Sequence, residues 1–362
     1  MRNAPFLLLL LALSVLPHER TRGETFAELS AAYLEEFPQL APVAATQLGD
    51  HRFDGQLDQV SAATRDRKRQ LALAYIKRLA DLEQDQLTAD QRIDFELLQH
   101  ELRSQLFYVD EFRQGEWNPL VYTALAGDAI YGLMARDYAP LPQRLRSAAA
   151  RMEQFPRLLA QVRETLVPSK VPKVHAETAV KQNRGVLSII RNMVEPAAEQ
   201  LEEEDRRRLV AAIATATEAV EAHQSWLETE LLPRARGNFR IGQELYDKKL
   251  AADLNSSLSR ADILARAEKA LSEVRAQMYE LSKQVYASEH PYTAFPENAS
   301  PAYQQAIIRS ALEVAYREQP PRDRLVEAAR ESLARCTEFV HARQLVEIPP
   351  DPVEVIVMPE FR

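Results

Sequence analysis

Amphipathic helix patterns fill most of this chain and leave little room for a β-sheet. In the clearest segment, residues 259–289, apolar residues recur at intervals of three and four after the N-cap signature Ser259-Arg-Ala-Asp262. A second helix is predicted to start at the capping box Thr88-Ala-Asp-Gln91 and to extend to Val109. Further amphipathic helices are predicted over residues 24–36, 61–83, 141–167, 174–192, 203–232, 301–318 and 322–345.

Composition supports the same fold class. Only nine glycines occur among 362 residues, with 46% hydrophobic and 27% charged residues, so the chain favours helix over sheet. Proline interrupts the helices: Pro38 and Pro42 are expected to separate two of them, and Pro156 is expected to kink the helix over 141–167. The predicted fold is all-α, a bundle of long antiparallel helices.

The last residues carry a β-strand pattern, Val353-Glu-Val-Ile-Val-Met358. Nothing upstream offers an obvious partner strand, and unpaired backbone groups of a strand need one. We therefore expect residues 351–362 to begin a strand region that is cut short. Residues 24–350 would then be the helical N-terminal half of a longer protein.

The first 23 residues predict a signal peptide. Arg2 precedes an apolar run over residues 6–16. That run is shorter than the roughly 20 residues of a membrane-spanning helix but fits a signal-peptide apolar region of about 7–15 residues. Cleavage is expected after Gly23, which gives an exported protein, periplasmic or extracellular, without membrane attachment. An uncleaved anchor or a mis-assigned start is the alternative, and no cysteine follows closely to predict a lipid anchor.

The charge of the chain argues against nucleic-acid binding. Removal of residues 1–23 takes away three arginines and one glutamate, so the formal charge of -8 becomes -10. The basic cluster Arg65-Asp-Arg-Lys-Arg69 contains an acidic residue and is predicted to be a solvated helix face. Cys336 stands alone, which excludes an intrachain disulfide, and it is expected to be a small buried thiol.

Two short motifs have part of the spacing of a metal site. In His100-Glu-Leu-Arg-Ser104, serine occupies the position at which a zinc-peptidase helix carries its second histidine. The Glu-x-x-His spacing of Glu338 and His341 occurs in di-metal bundles, but those sites need a second copy and two more carboxylates. His100 is therefore expected to be exposed or structural, and chance is the better explanation for the spacing of Glu338 and His341.

The remaining candidates are single residues. His223 lies on the apolar stripe of its helix and is expected to be a buried, hydrogen-bonded core histidine, with a functional role as the alternative. Cys336 and His341 are five residues apart, which does not align them as a nucleophilic pair. The residues alone therefore assign no catalytic, cofactor-binding or metal-binding side chain.

Four stretches resemble a bacterial family known as domain of unknown function 885, whose members resemble helical zinc metallopeptidases. They occur in the order expected for that family and together span almost the whole mature chain. The stretches are Leu48-Gly-Asp-His-Arg-Phe-Asp-Gly-Gln-Leu-Asp58, Trp117-Asn-Pro-Leu-Val-Tyr122, Arg240-Ile-Gly-Gln-Glu-Leu-Tyr-Asp-Lys-Lys-Leu250 and Pro352-Val-Glu-Val-Ile-Val-Met-Pro-Glu-Phe361.

The resemblance implies a zinc-dependent hydrolase of short peptides whose zinc motif, of the type His-Glu-x-x-Pro-Gly-His, follows a short strand region. This sequence ends before such a motif, so the chain is expected to be inactive alone, with the missing C-terminal half as its partner. No metal ligand is transferred, and five matching residues are expected to order loops and pack helices. They are Asp50, His51, Trp117, Arg240 and Tyr246.

A second hypothesis belongs to a different class of function. The chain would be a complete, non-enzymatic helical protein that binds a peptide or protein partner in the periplasm through an edge strand and a groove.

Overall fold

The computed structural model describes residues 24–353 and residue 355, and these residues form an all-α protein, as predicted. The α-helices are α1 (Phe26–Leu40), α2 (Pro42–Gln47), α3 (Ala62–Ala80), α4 (Ala89–Leu106), α5 (Leu120–Met134), α6 (Leu141–Met152), α7 (Phe155–Thr165), α8 (Lys173–Ile189), α9 (Glu203–Trp226), α10 (Leu232–Arg234), α11 (Gln243–Leu254), α12 (Arg260–Glu289), α13 (Pro301–Arg317) and α14 (Leu325–Arg343).

Shorter helical turns connect or extend these helices. Three segments are π-helical: Phe107–Phe112, Ile190–Val194 and Leu227–Leu231. The 3-10 turns are His51–Phe53, Gln84–Gln86, Gln114–Glu116, Pro168–Lys170, Glu195–Gln200 and Arg322–Arg324. Within residues 24–353 the β-type pairing is a single parallel bridge between Pro172 and Gly237.

The capping box at Thr88 and the N-cap at Ser259, both predicted from sequence, are present. Thr88 accepts a hydrogen bond from the backbone N–H of Gln91, whose side chain accepts one from the Thr88 backbone N–H. Ser259 and Asp262 make the same reciprocal pair at the start of α12. These side chains satisfy N–H groups that have no partner inside the helix, so the start of each helix follows from local sequence.

Helix α5 was not predicted, although it lies at the centre of the protein. It packs against α2, α6 and α8, none of its residues is exposed, and Ala129, Ile130 and Leu133 are fully buried. A helix without an exposed face has few polar residues, so its sequence lacks the alternation from which an amphipathic helix is recognised. Helix α11 was missed for the opposite reason, since none of its residues is buried.

The proline prediction for Pro156 was wrong, and the one for Pro38 and Pro42 was confirmed in part, because α1 and α2 are separated at Ala41. The predicted helix over 141–167 is divided into α6 and α7, and Pro156 is the second residue of α7, where a missing backbone N–H costs no helical hydrogen bond. Pro38 lies within α1 rather than ending it, while Pro42 does start α2.

The buried apolar residues form three clusters. The largest joins α5 to α9 and contains the fully buried Leu145, Phe155 and Leu158. A second cluster lies between α1, α3 and α4 around Tyr75. The third, between α12 and α13, is small and includes Tyr279. The two larger clusters hold α1, α3, α4 and α5, which border the candidate site.

The C-terminal helices leave much of their apolar surface exposed. Helix α12 forms as predicted, but Val274, Leu281 and Val285 of its apolar stripe are 49%, 63% and 37% exposed. Helix α14 buries none of its residues, so the prediction of a buried thiol at Cys336 was wrong: this cysteine is exposed. Helical periodicity shows which side is apolar, but it does not show what covers that side.

The predictions for the two ends of the sequence fall mostly outside the described residues. Val353 and Val355 belong to no strand, whereas the other residues of the predicted strand lie outside the described residues. The predicted signal peptide over 1–23 also lies outside them. None of the helices in the described part of the chain is long and apolar enough to cross a membrane.

Candidate functional site

The candidate site surrounds the π-helical segment Phe107–Phe112, which directly continues α4. It ends at Arg113, which adopts a left-handed conformation with φ of 47°. That conformation is uncommon for a residue other than glycine and has an energetic cost. π-Helical turns occur frequently at functional sites, which makes this segment a candidate for one.

Ion pairs hold the π-helical segment between α3 and α11. Arg69 of α3 donates to Asp110, with 3.0 Å between Nε and Oδ2. On the other side, Lys248 of α11 donates to Glu111, with 2.7 Å between Nζ and Oε2. Each pair joins side chains more than 40 residues apart in sequence. These ion pairs link the segment to α3 and α11, and the cleft of the candidate site lies between these helices.

Tyr108 points from this segment into a polar cluster. Its hydroxyl donates to Asp253, and burial together with that carboxylate raises the pKa of Tyr108. Burial acts to raise the pKa of Asp253, but hydrogen bonds from Lys249 and Tyr108 outweigh it and lower that pKa. Lys249 Nζ also lies 5.7 Å from the centre of the Tyr108 ring. Tyr108 is therefore a neutral donor beside an ionised pair.

Two cavities meet at the π-helical segment. One, of about 330 Å³, lies between α3, this segment and α5. The other, of about 560 Å³, lies between α1, α3, α4 and α11. Their volumes fall within the range of roughly 300–1,000 Å³ that is usual for small-ligand sites. Four residues line both cavities: Lys68, Tyr108, Val109 and Gln114.

A third hollow, of about 540 Å³, brings together three of the five family-pattern residues. Trp117, Arg240 and Tyr246 line it with Phe112 and Lys249. The indole Nε1 of Trp117 donates to the backbone oxygen of Phe112 at 3.1 Å, so this tryptophan helps to fix the end of the π-helical segment. Sequence reasoning named these three residues but did not predict that they meet.

Asp50 and His51 lie away from the cleft, in a loop that they order. The His51 ring stacks on Tyr138 with 3.5 Å between ring centres and an angle of 3° between planes. His51 Nδ1 lies 3.1 Å from Asp54 Oδ2, which also accepts a hydrogen bond from the Tyr138 hydroxyl at 2.6 Å. Asp50 accepts a hydrogen bond from the Arg52 side chain at 2.9 Å.

Beneath this loop lies Arg151, a fully buried arginine that sequence reasoning missed. It is 0% exposed, and its burial lowers the pKa of its guanidinium. The guanidinium donates to Thr46 Oγ1 at 2.6 Å and to the backbone oxygens of Ala129 and Gln56, both at 2.9 Å. Thr46 in turn donates to Asp54, so the loop and the main core share one hydrogen-bond network.

The metal-spacing motifs of the sequence do not form a metal site. His100 lines the 560 Å³ cavity, but its Nε2 lies 3.4 Å from Ser104 Oγ, and Ser104 donates to the backbone oxygen of Ala252. Glu338 and His341 are exposed on α14. Among the described residues no group of three or more His, Cys, Asp or Glu side chains is arranged to hold a metal ion. The donors present therefore do not fit a zinc centre.

Residues 42–362 match the family described as bacterial protein of unknown function, DUF885. This chain belongs to the DUF885 family. No curated protein matches it.

Two solved structures resemble this DUF885 chain. A candidate lipoprotein of unknown function from Shewanella oneidensis is 26% identical, with a TM-score of 0.72 over 90% of this chain and 59% of its own. A candidate lipoprotein from Colwellia psychrerythraea is 15% identical, with a TM-score of 0.58 over 88% of this chain and 60% of its own, and shows a shared fold. The DUF885 chain thus spans about three fifths of both structures.

His223 of the DUF885 chain is buried, as predicted, and stacks on Trp226 with 5.6 Å between ring centres. The prediction of hydrogen bonding was wrong for Nδ1, which has no hydrogen-bond partner among the described residues. Burial, assisted by the positive charge of Arg163, lowers the pKa of His223 to about 3. An apolar surround stabilises the neutral imidazole over the charged one.

The depressed pKa of His223 predicts a loss of stability in mild acid. Below an unfolded pKa of about 6.5 the unfolded chain takes up a proton that the folded chain does not, so unfolding becomes more favourable as pH falls. For a folded pKa near 3, the free energy of unfolding should fall by about 2 kcal/mol between pH 8 and pH 5 through this residue.

Urea unfolding of wild type and His223→Leu at the two pH values measures this contribution. The variant should lose less stability in acid by about that amount, whereas the exposed His341→Gln should behave like wild type. An equal pH dependence of wild type and His223→Leu would show that His223 is charged in the folded state.

Proposed function

We propose that this chain is the helical N-terminal portion of an exported, zinc-metallopeptidase-like hydrolase of short peptides, and that it binds peptides without cleaving them alone. The two neighbouring cavities beside the π-helical segment carry the proposal. Their shared border offers the Lys68 ammonium, the Tyr108 hydroxyl and the Gln114 amide, and the larger cavity has apolar side chains from Phe37 and Leu71. Apolar walls with a few polar groups are typical of ligand sites.

Zinc is the expected cofactor of the longer protein, held by residues outside this chain. Three observations support the proposal that the zinc ligands lie in a further segment. The described residues offer no donor set for zinc, and this chain spans 59% of the Shewanella relative. In addition, exposed apolar side chains of α12 and α14, such as Leu281 and Phe339, offer surface on which a further segment would pack.

Export is supported by the signal-peptide pattern of the first 23 residues. The description of the Shewanella relative as a candidate lipoprotein supports it as well, because lipoproteins are exported proteins. Periplasmic or extracellular location is part of the proposal.

Zinc content and activity test the proposal. Residues 24–362 and the complete product of the coding sequence should be purified side by side, their zinc measured by mass spectrometry, and both assayed with a quenched fluorescent peptide library. We expect zinc and hydrolysis only in a longer product. One tightly bound zinc ion per chain, or zinc-dependent hydrolysis, in residues 24–362 would contradict the proposal.

One observation favours the second candidate, a non-enzymatic periplasmic protein that binds a peptide or protein partner. Both cavities are formed entirely by residues between Phe37 and Asp253, so peptide binding there requires no further segment. A genuine stop codon after Arg362, together with peptide binding by the mature chain, would establish this candidate in place of the first.

A further inference from the structure

We propose that the 330 Å³ cavity binds the C-terminal carboxylate and the apolar last side chain of a short peptide. This inference rests on the peptide binding proposed above and adds the end of the peptide that is recognised. It concerns Arg65 and Lys68, which lie three residues apart on one face of α3 and are each partly buried.

The cavity has an excess of positive charge. Its charged lining consists of Arg65, Lys68 and Arg113 against the single carboxylate of Asp58. Asp58 is buried, and its Oδ2 accepts a hydrogen bond from the backbone N–H of Val43 at 3.0 Å. Arg113 is paired with Glu116. Arg65 and Lys68 are thus the positively charged side chains of this cavity that are available to bind an anion.

Arg65 and Lys68 differ from the neighbouring cations of α3 in their pairing with carboxylates and in their position at the cavity. Within residues 24–353 neither has a carboxylate within 4 Å, whereas Arg69 is paired with Asp110. Arg67 is exposed and lines neither cavity. Cations without a partner are available to a ligand of opposite charge, and a charge-assisted hydrogen bond is stronger than a neutral one.

Tyr122 lines the same cavity and adds no negative charge to it. Its hydroxyl donates to the backbone oxygen of Gly115 at 2.8 Å, and burial raises its pKa to about 12. Tyr122 therefore remains neutral at physiological pH, so it places no negative charge beside Arg65. The field in the cavity stays favourable for an incoming carboxylate.

Apolar walls favour a peptide over a small inorganic anion. Val60, Val109, Val121 and Leu125 line the cavity beside the two cations, and an inorganic anion would gain nothing from them. A C-terminal residue carries its carboxylate and its side chain on the same Cα, which matches this arrangement. The rest of the peptide would pass the border at Lys68 and Tyr108 into the 560 Å³ cavity.

Calorimetric titration of the mature chain with Ala-Ala-Leu and with its C-terminal amide tests the proposal. The free acid should bind about tenfold or more tightly than the amide, because the amide carries no negative charge to pair with the two cations. In Arg65→Gln/Lys68→Met the free acid should bind as weakly as the amide, while the affinity for the amide changes less than about twofold. Arg67→Gln, on the same helix, should keep the wild-type preference.

Several outcomes would overturn this inference. They are equal binding of acid and amide, a preference that survives the double substitution, no binding of the free acid, and inorganic phosphate binding as tightly as the peptide. If the amide binds as well as the free acid or better, this inference alone fails, whereas binding of neither peptide would also contradict the peptide binding proposed above. None of these outcomes concerns zinc or hydrolysis by a longer product, which the zinc and activity measurements test separately.

Discussion

Arg151→Met should lower the free energy of unfolding by about 3–5 kcal/mol, the usual cost of removing one partner from a buried charged network. The wild-type guanidinium is fully buried and donates to Thr46 and to the backbone oxygens of Gln56 and Ala129. Methionine fills much of the same volume but donates no hydrogen bond, so these acceptors lose the partner that the guanidinium supplies. The midpoint of urea unfolding at pH 7 measures the loss.

Controls separate this effect from the loss of an arginine in general. Arg146 pairs with Asp205 at the surface, where its side chain is 49% exposed, so Arg146→Gln should cost less than about 1 kcal/mol. Arg151→Lys keeps the charge but cannot reach all acceptors, and it should fall between wild type and Arg151→Met. A loss below about 1 kcal/mol in Arg151→Met would show that the network contributes little to stability.

Gly237→Ala should destabilise the protein by about 1–3 kcal/mol through overpacking. An ideal Cβ on Gly237 would lie 1.8 Å from the backbone oxygen of Lys170 and 2.8 Å from the carbonyl carbon of Val171. No side-chain rotation relieves a contact with backbone atoms, so the two segments must separate. Their separation would also strain the hydrogen bond that the Gly237 N–H donates to the Val171 oxygen at 2.9 Å.

Gly55→Ala is the matched control for Gly237→Ala. Its new Cβ would lie 3.7 Å from the Ala150 Cβ, an ordinary van der Waals distance. Because alanine restricts the unfolded chain more than glycine does, this control should be neutral or slightly stabilising, by up to about 1 kcal/mol. Thermal unfolding of the two variants provides the comparison, and equal midpoints would show that the chain absorbs the Gly237 contact without cost.

Local sequence was enough to predict much of the helical structure. Helices α4 and α12 were predicted because capping side chains and a period of three and four residues act within a few positions of the chain. Helix α5 escaped the same reasoning because none of its residues is exposed, so its sequence shows little alternation of apolar and polar residues. The absence of an exposed face is a property of the packed protein.

The candidate site was much harder to predict from sequence. Trp117, Arg240 and Tyr246 could be named through the family pattern, yet their meeting in one hollow brings together positions more than 120 residues apart. The basic cluster 65–69 was expected to be a solvated face, and the exposed Arg67 fits that expectation. Arg65 and Lys68 of the same cluster line a cavity because the π-helical segment and α5 lie against that side of α3.

The amino-acid sequence therefore accounts for the all-α fold, most helix starts and membership of the DUF885 family. Packing accounts for the burial of Arg151, the exposure of Cys336 and the cavities around Tyr108. The physical reason is range. Capping and helical periodicity operate over one or two turns and reveal which side of a helix is apolar, whereas the identity of the surface that covers that side depends on residues far away in the chain.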